Sequence, residues 1–443
     1  MGRLDDWLSR RARTHPRRPA LICDGTTVSY AELYARAEVA ARRLAALGIG
    51  DGDRVATTMP SGLGFTELLH ALPRLGASLV PLSTRLTAAE RRWQLEDSGA
   101  RLCLEERLEG EEAEVGLRTE LDPDAELALV YTSGTTGRGR GVSLSHANFA
   151  ASAFASAWNL GVDPDDRWLC VLPLFHVGGL SILTRSAAYG TAAVIHDGFE
   201  EQQVAEALEG REVTLVSLVP TMLRRLAATG LQRAPALRAA LLGGGPVPGD
   251  LLEWAAERGL PVLQTYGMTE TCSQIATLGA AEAARMNGSA GRPLPGVELS
   301  ISAGGEILIR GPMVARGALD AADGWLHSGD RGRLDDRGYL WVEGRLKDVI
   351  VTGGENVACA EVEQVLEEHP AVAEAAAVGV PDPEWGEIVT AFVVPGGEAL
   401  DERELVAHCR ERLAGYKVPR RVYAVETLPR NAAGKLLRRE LVP

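Results

Sequence analysis

The stretch "YTSGTTGRGRGVSLSH", residues 131–146, holds six serines and threonines, four glycines and two arginines directly after an apolar run. Glycines permit the conformations that turn successive amide N–H groups inward, and hydroxyls add donors, so such a loop can cradle an anion. A plain turn has the same composition, but Arg138 and Arg140 add the positive charge that a polyphosphate needs. The spacing is not Gly-x-x-x-x-Gly-Lys followed by Ser or Thr, which excludes a Walker A loop. Lysine usage is a second chemical signal. Of 46 basic residues only Lys347, Lys417 and Lys435 are lysines, and all three fall in the last hundred positions. An ammonium is a compact point charge on a flexible stem, where a guanidinium is a planar fork. Either ammonium chemistry or compositional drift accounts for the three.

The loop must be carried by a strand, and the surrounding sequence supplies a series of them. "ELALVYTS" (126–133), "TAAVIH" (191–196), "VTLVSLVP" (213–220), "ALRAALLGGG" (236–245) and "LPVLQTYG" (260–267) read as strands or strand ends. "HANFAASAFASAW" and "EEQQVAEALE" between them read as helices. This alternation up to about residue 300 predicts an α/β fold with a mostly parallel, helix-covered sheet. From "GGEILIRG" (304–311) to "GYLWVEG" (338–344) the pattern changes to short strands with glycine turns. An α+β tail follows: helix "AEVEQVLEEH", strands "AEAAAVGV" and "IVTAFVV", helix "DERELVAHCRERL" and a last strand near "RRVYAVE". The joint is expected in "EGRLKDVIV". At 443 residues the chain exceeds a usual domain of about 100 to 200 residues, which agrees with one large and one smaller domain.

A formal net charge of −14 argues against a nucleic-acid surface and an anionic membrane, so an anionic ligand must be held by local cations. The N-terminal "MGRLDDWLSRRARTHPRRP" has no apolar core of a signal peptide, and a cytoplasmic protein without membrane insertion is expected. Cys23, Cys103, Cys170, Cys272, Cys359 and Cys409 are scattered without Cys-x-x-Cys spacing and read as reduced and structural rather than metal-binding.

The 131–142 segment resembles the phosphate-binding signature of the adenylate-forming superfamily, which includes acyl-CoA synthetases, peptide-synthetase adenylation domains and firefly luciferase. "LLGGGPVP" (241–248), "YGMTET" (266–271), "WLHSGD" (325–330), "GRLKDVIVTGGENV" (344–357) and "NAAGKLLRREL" (431–441) follow in the superfamily's order. The resemblance covers nearly the whole chain. It implies a domain of residues 1–346 and a small mobile domain of residues 347–443 turning about a hinge at Lys347. It implies that Thr132, Ser133, Gly134, Thr135, Thr136 and Gly137, with Arg140, hold the phosphates of ATP. Gly243, Gly244, Gly245, Tyr266, Gly267, Met268 and Thr269 are then the adenine side of the site. Glu270 resembles the magnesium-binding carboxylate, a hard oxygen ligand suited to an ion bridging phosphates. Asp330 and Arg345 resemble the ribose-binding residues, and Lys435 the lysine that reaches the reacting carboxylate and α-phosphate. Gly139-Arg140 stands where Pro-Lys is common; this keeps the charge and is expected to loosen the loop.

The chemistry implied has two halves. A carboxylate attacks the α-phosphorus of ATP, giving an acyl-adenylate and pyrophosphate; after the small domain turns, the thiol of coenzyme A displaces AMP. The turn brings "VTGGENV" to the site, where Gly353 and Gly354 leave room for a pantetheine arm. Residues 81–102, 172–190 and 266–278 resemble the o-succinylbenzoate-CoA ligases of menaquinone biosynthesis more than fatty-acid or acetate ligases, although Ser83 replaces a common asparagine and Ala358-Cys359 a frequent Tyr-Pro. His176 in "PLFH" is expected at the acyl pocket wall. Arg185, nine residues on in an apolar stretch, is expected to meet the benzoate carboxylate, or else to reach solvent from a helix end or pair with a protein carboxylate. Lys417 reads as solvated surface. The partners implied are ATP, magnesium, coenzyme A and a small carboxylic acid, with no nucleic acid; a homodimer stays open. Ligation of another aryl or medium-chain acid, transfer to a carrier protein, and an inactive nucleotide-binding relative are the alternatives. Retention of Glu270, Asp330, Arg345 and Lys435 speaks against the last.

Overall fold

The computed structural model describes residues 2–132, 139–210, 212–245, 247–346, 348–352, 355–383, 385–397, 401–430 and 436–442. Two compact units are formed: residues 1–298 with 310–326, and residues 299–309 with 327–443.

In the first unit a nine-stranded sheet carries most of the core. Its centre is six parallel strands, Val262–Met268, Ala239–Leu242, Leu215–Leu218, Arg167–Cys170, Ala192–Ile195 and Pro19–Cys23. Leu215–Leu218 and Ala239–Leu242 are buried at every residue, as strands are when helices cover both faces; the polar Ser217 accepts from Trp168 Nε1 at 3.1 Å. Leu169, Val204, Val216, Leu226, Leu242 and Leu251 knit strands and helices into one apolar cluster. The antiparallel strands Ser273–Thr277 and Thr26–Ser29 are added toward the two margins.

A second sheet places Leu102–Leu104, Arg54–Thr57, Ser78–Pro81 and Glu126–Thr132 in parallel, then Arg140–Ser145 antiparallel. The helix His146–Leu160 starts at once from this last strand, with Ser145 Oγ accepting from Asn148 N at 3.2 Å, a side-chain N-cap that fixes where the helix begins. The helix Val177–Tyr189 is buried almost all round, from Gly179 through Ala187. Such a helix runs through a core rather than lying on it.

The second unit contains a four-stranded sheet, Glu298–Ile301, Glu306–Arg310, Leu326–Leu334 and Leu340–Arg345, and a five-stranded sheet packed with the helices Cys359–Glu367 and Glu402–Arg412. Ile350, Val362, Leu366, Val389, Ala391 and Leu405 form that packing. The helix-covered parallel sheet, the switch to short strands and the α+β tail expected from the sequence are all present. Among the described residues no helix is long and apolar enough to cross a membrane. All six cysteines are free thiols.

Candidate active site

Thr132 and Arg140 face each other across the antiparallel strand pair that leads into and out of residues 133–138. Thr132 Oγ1 donates to the Arg140 carbonyl at 3.3 Å. A Cβ at Gly139 would stand 2.5 Å from the Thr132 carbonyl oxygen. Glycine therefore permits a close approach of the two strands at Gly139; the loop expected to be loosened, residues 133–138, lies outside the described residues. The exposed Arg140 guanidinium donates to the Gly317 carbonyl at 3.0 Å.

Glu270 occupies the 3-10 turn Thr269–Thr271, which follows the strand Val262–Met268 and packs against the strand Arg140–Ser145. Its backbone carbonyl accepts from Ala315 N at 2.8 Å. Arg140 and Glu270 are thus tied to one short backbone segment, residues 315–317. The Glu270 carboxylate is half-buried and, among the described residues, has neither a hydrogen-bond nor an ion-pair partner. A carboxylate of this kind could hold magnesium, which is commonly held by one or two carboxylates plus substrate phosphates. Thr271 is fully buried and locks the turn, its hydroxyl accepting from Met268 N at 3.0 Å. Gly267 meets the returning chain so closely that a Cβ would lie 1.9 Å from the Ser273 carbonyl oxygen. Cys272 and Ser273 carry φ values of 52° and 91°, a conformation costing non-glycine residues about 1–3 kcal/mol and found disproportionately at functional sites. Gly243, Gly244 and Gly245 follow the neighbouring strand Ala239–Leu242, whose Leu242 pairs with Gln264 just before Tyr266.

Arg185 is 2 % exposed and lies inside the helix Val177–Tyr189, not at its end. Its Nη2 donates to Ser152 Oγ at 2.9 Å, and Ser152 donates to the Cys272 carbonyl at 2.7 Å. The guanidinium carbon stands 5.7 Å from the Trp168 ring centroid, and Nε is buried without a partner. Among the described residues no carboxylate pairs with it, and burial lowers its pKa from the usual arginine value. Escape to solvent and a protein carboxylate, the two alternatives open in the sequence, are therefore both absent among the described residues. His176 is the N-cap residue of the same helix; burial pushes its imidazole down to about 4, so it is neutral near pH 7. His176 stands nine positions before Arg185 and just outside the helical turns, with extended backbone at φ −103° and ψ 143°.

In the second unit, Asp330 and Arg345 are register partners on the antiparallel strands Leu326–Leu334 and Leu340–Arg345. Arg345 Nε reaches Asp330 Oδ1 at 2.8 Å, and Asp330 is 5 % exposed. The Asp330 backbone N–H donates to Ser328 Oγ at 3.0 Å. Lys417 is not solvated surface: Nζ donates to both Glu361 oxygens at 2.6 and 2.8 Å, because the 415–417 turn packs against the strand leading into that helix. Cys359 takes the first position of the helix Cys359–Glu367 and is buried, with its thiol pushed up to about 12. Proline is favoured at that position for its fixed φ, which accounts for the exchange being tolerated.

The profile of the AMP-binding enzyme family matches residues 8–319, and that of the AMP-binding enzyme C-terminal domain matches residues 361–435. The chain belongs to the AMP-binding enzymes. It is 44 % identical to the 2-succinylbenzoate--CoA ligase of Geobacillus kaustophilus (strain HTA426), over 100 % of this chain and 98 % of that protein. Its fold is similar to o-succinylbenzoate CoA synthetase (MenE) from Bacillus subtilis in complex with the acyl-adenylate intermediate OSB-AMP, with a TM-score of 0.94, 40 % identity and coverage of 99 % of this chain and 98 % of that one. The same synthetase in complex with ATP and magnesium ion matches with a TM-score of 0.93 and 40 % identity, covering 99 % of this chain and 100 % of that one.

Of the residues expected in this AMP-binding enzyme's site, Ser133, Gly134, Thr135, Thr136, Gly137, Lys347, Gly353, Gly354 and Lys435 lie outside the described residues. Sequence reasoning missed Ser152, Trp168, Cys272 and the 315–317 segment. The serines on the buried face of "HANFAASAFASAW" are the one signal that pointed to Ser152; a backbone carbonyl such as that of Gly317 leaves none.

Proposed function

We propose that this AMP-binding enzyme joins o-succinylbenzoate to coenzyme A, with conversion of ATP to AMP and pyrophosphate, in menaquinone biosynthesis. The observation that carries the reading is the end-to-end likeness to a synthetase solved with OSB-AMP. The substrate has two carboxylates. Activating the succinyl one leaves the benzoate anionic, and a fully buried guanidinium without a carboxylate partner among the described residues supports a pocket built for that anion, since an unpaired buried charge is expensive.

In this reading the succinyl carboxylate oxygen forms a bond to the α-phosphorus as the bond to pyrophosphate breaks; the coenzyme A sulfur then bonds to the acyl carbon as AMP leaves. Catalysis is alignment and charge stabilisation, without a covalent enzyme intermediate. Thr132 through Gly137 and Arg140 hold the phosphates. Glu270 would hold magnesium, which when bound offsets phosphate charge. Gly243 to Gly245 and Tyr266 to Thr269 form the adenine side, and Asp330 with Arg345 takes the ribose hydroxyls. Lys435 places its ammonium where negative charge gathers during adenylation. A domain boundary after residue 346, with Lys347 as hinge, lets Gly353 and Gly354 replace Lys435 for the second half. His176 is a neutral wall of the acyl pocket. A cytoplasmic location is part of the reading and is supported by the six free thiols.

The test is pyrophosphate release across a panel of aryl and aliphatic acids. o-Succinylbenzoate should give the highest specificity constant; a higher value for a monocarboxylic acid would move the assignment to another acyl-CoA ligase.

A further inference from the structure

The described residues on either side of Lys435, up to Arg430 and from Leu436, are braced within the second unit. Arg430 and Leu436 form an antiparallel bridge, and Leu437 N donates to the Pro429 carbonyl at 2.8 Å. Leu428, Leu436 and Leu441 pack with Ala376, Val378 and Phe392. Two ion pairs pin the flanks. On the entering side Arg430 meets Glu374 at 2.5 Å. On the leaving side Arg438, three residues after Lys435, is forked. Its Nη2 donates to Glu363 Oε1 and Oε2 at 2.9 and 2.8 Å, and its Nη1 to Asp348 Oδ2 at 2.7 Å.

Those two carboxylates belong to elements of different kinds. Glu363 sits on the helix Cys359–Glu367 and also accepts from Ala377 N at 2.7 Å, so it is fixed to the five-stranded sheet. Asp348 directly follows Lys347, and its own N–H donates to the Arg345 carbonyl at 3.1 Å. Arg438 therefore joins the residues just after Lys435 both to the helix Cys359–Glu367 and to Asp348, whose N–H is held by Arg345. A lysine in this place would supply charge but not a planar fork holding two carboxylates at once.

We propose that Arg438 is a positioning residue for adenylation: its fork on Glu363 and Asp348 sets the base from which Lys435 reaches the reacting groups. The inference rests on the reading of Lys435 given above. It predicts a loss confined to the half-reaction that uses Lys435.

The experiment measures two rates in the intact enzyme: pyrophosphate release from o-succinylbenzoate and ATP, and thioester formation from supplied o-succinylbenzoyl-adenylate and coenzyme A. Arg438→Met should lower the first by about ten- to a hundredfold, the range that misplacement of a reacting group by about an ångström produces, with little change in KM for ATP. The second should stay within about twofold, and Arg438→Lys should recover part of the first. In a Lys435→Ala background, Arg438→Met should cause no further loss of adenylation. Parallel loss of both rates, or full adenylation by Arg438→Met while Lys435→Ala abolishes it, overturns the positioning role. If Lys435→Ala itself adenylates normally, the reading of Lys435 fails first and the proposal falls with it. Should Arg438→Met not fold, Glu363→Gln, which keeps the shape and weakens the fork, must show the same split between the two rates.

Discussion

Arg185 and Ser152 form a 2.9 Å hydrogen bond that links the helices Val177–Tyr189 and His146–Leu160 to the backbone of Cys272, two residues after Glu270. The guanidinium has a hydroxyl and an indole face beside it and, among the described residues, no carboxylate partner. In the proposed reading its charge serves the substrate.

Arg185→Ala should lower the specificity constant for o-succinylbenzoate by about ten- to a hundredfold. A charge-assisted hydrogen bond contributes roughly 1.5 to 3 kcal/mol, and ~1.4 kcal/mol is one decade. The apparent affinity for ATP should barely move. 4-Oxo-4-phenylbutanoate, which lacks the benzoate carboxylate, should be used equally by both proteins. Unchanged use of o-succinylbenzoate by the variant would remove Arg185 from the pocket.

How much of this could be read in advance depends on what each feature is made of. Strands such as Ala239–Leu242 were legible because burial on both faces favours an unbroken apolar run. The residues of "YGMTET" were legible as a motif, yet the reason they hold a turn, the Thr271 hydroxyl and the steric demand at Gly267, appears only when the chain returns as Ser273–Thr277. Asp330 and Arg345 are fifteen residues apart in the sequence, and only strand pairing makes them direct partners. Lys417 was misread because its partner Glu361 is fifty-six residues away, beyond any local pattern.

Lys435→Ala should abolish pyrophosphate release while still converting supplied acyl-adenylate to thioester. Single-turnover assays of the two halves separate these rates. Equal loss of both would make the lysine a structural residue and remove the main support for two working orientations.

Gly353→Leu and Gly354→Leu, in protein that retains the wild-type thermal transition, should spare pyrophosphate release and block thioester formation. The measurement is thioester yield from supplied adenylate at saturating coenzyme A. A loss that falls on adenylation instead would contradict a pantetheine passage at these glycines.

Stability should fall as pH is lowered from about 6.5 toward 4. Burial pushes His70 and His146 down to about 4, below the ordinary value near 6.5, so the unfolded chain takes up protons first and acid favours it. Each of these histidines contributes at most about 1.4 kcal/mol per pH unit in that window. Asp6, raised by burial to about 6, acts in the opposite sense, since the folded state then binds a proton before the unfolded one, and it offsets part of the effect. Thermal melts between pH 7 and pH 4.5 should show the net fall, and His70→Gln should make it shallower. A transition temperature that rises on acidification would contradict the neutral buried histidines.

The central claim is that one active site makes and then consumes o-succinylbenzoyl-adenylate. The direct measurement is mass-spectrometric product analysis of the purified enzyme with o-succinylbenzoate, ATP and magnesium, before and after coenzyme A is added. Without coenzyme A the account predicts enzyme-bound o-succinylbenzoyl-adenylate and an equal amount of pyrophosphate; after addition, o-succinylbenzoyl-CoA and AMP should appear in equal amounts. Formation of ADP and phosphate, or thioester without any adenylate in the first stage, would contradict it.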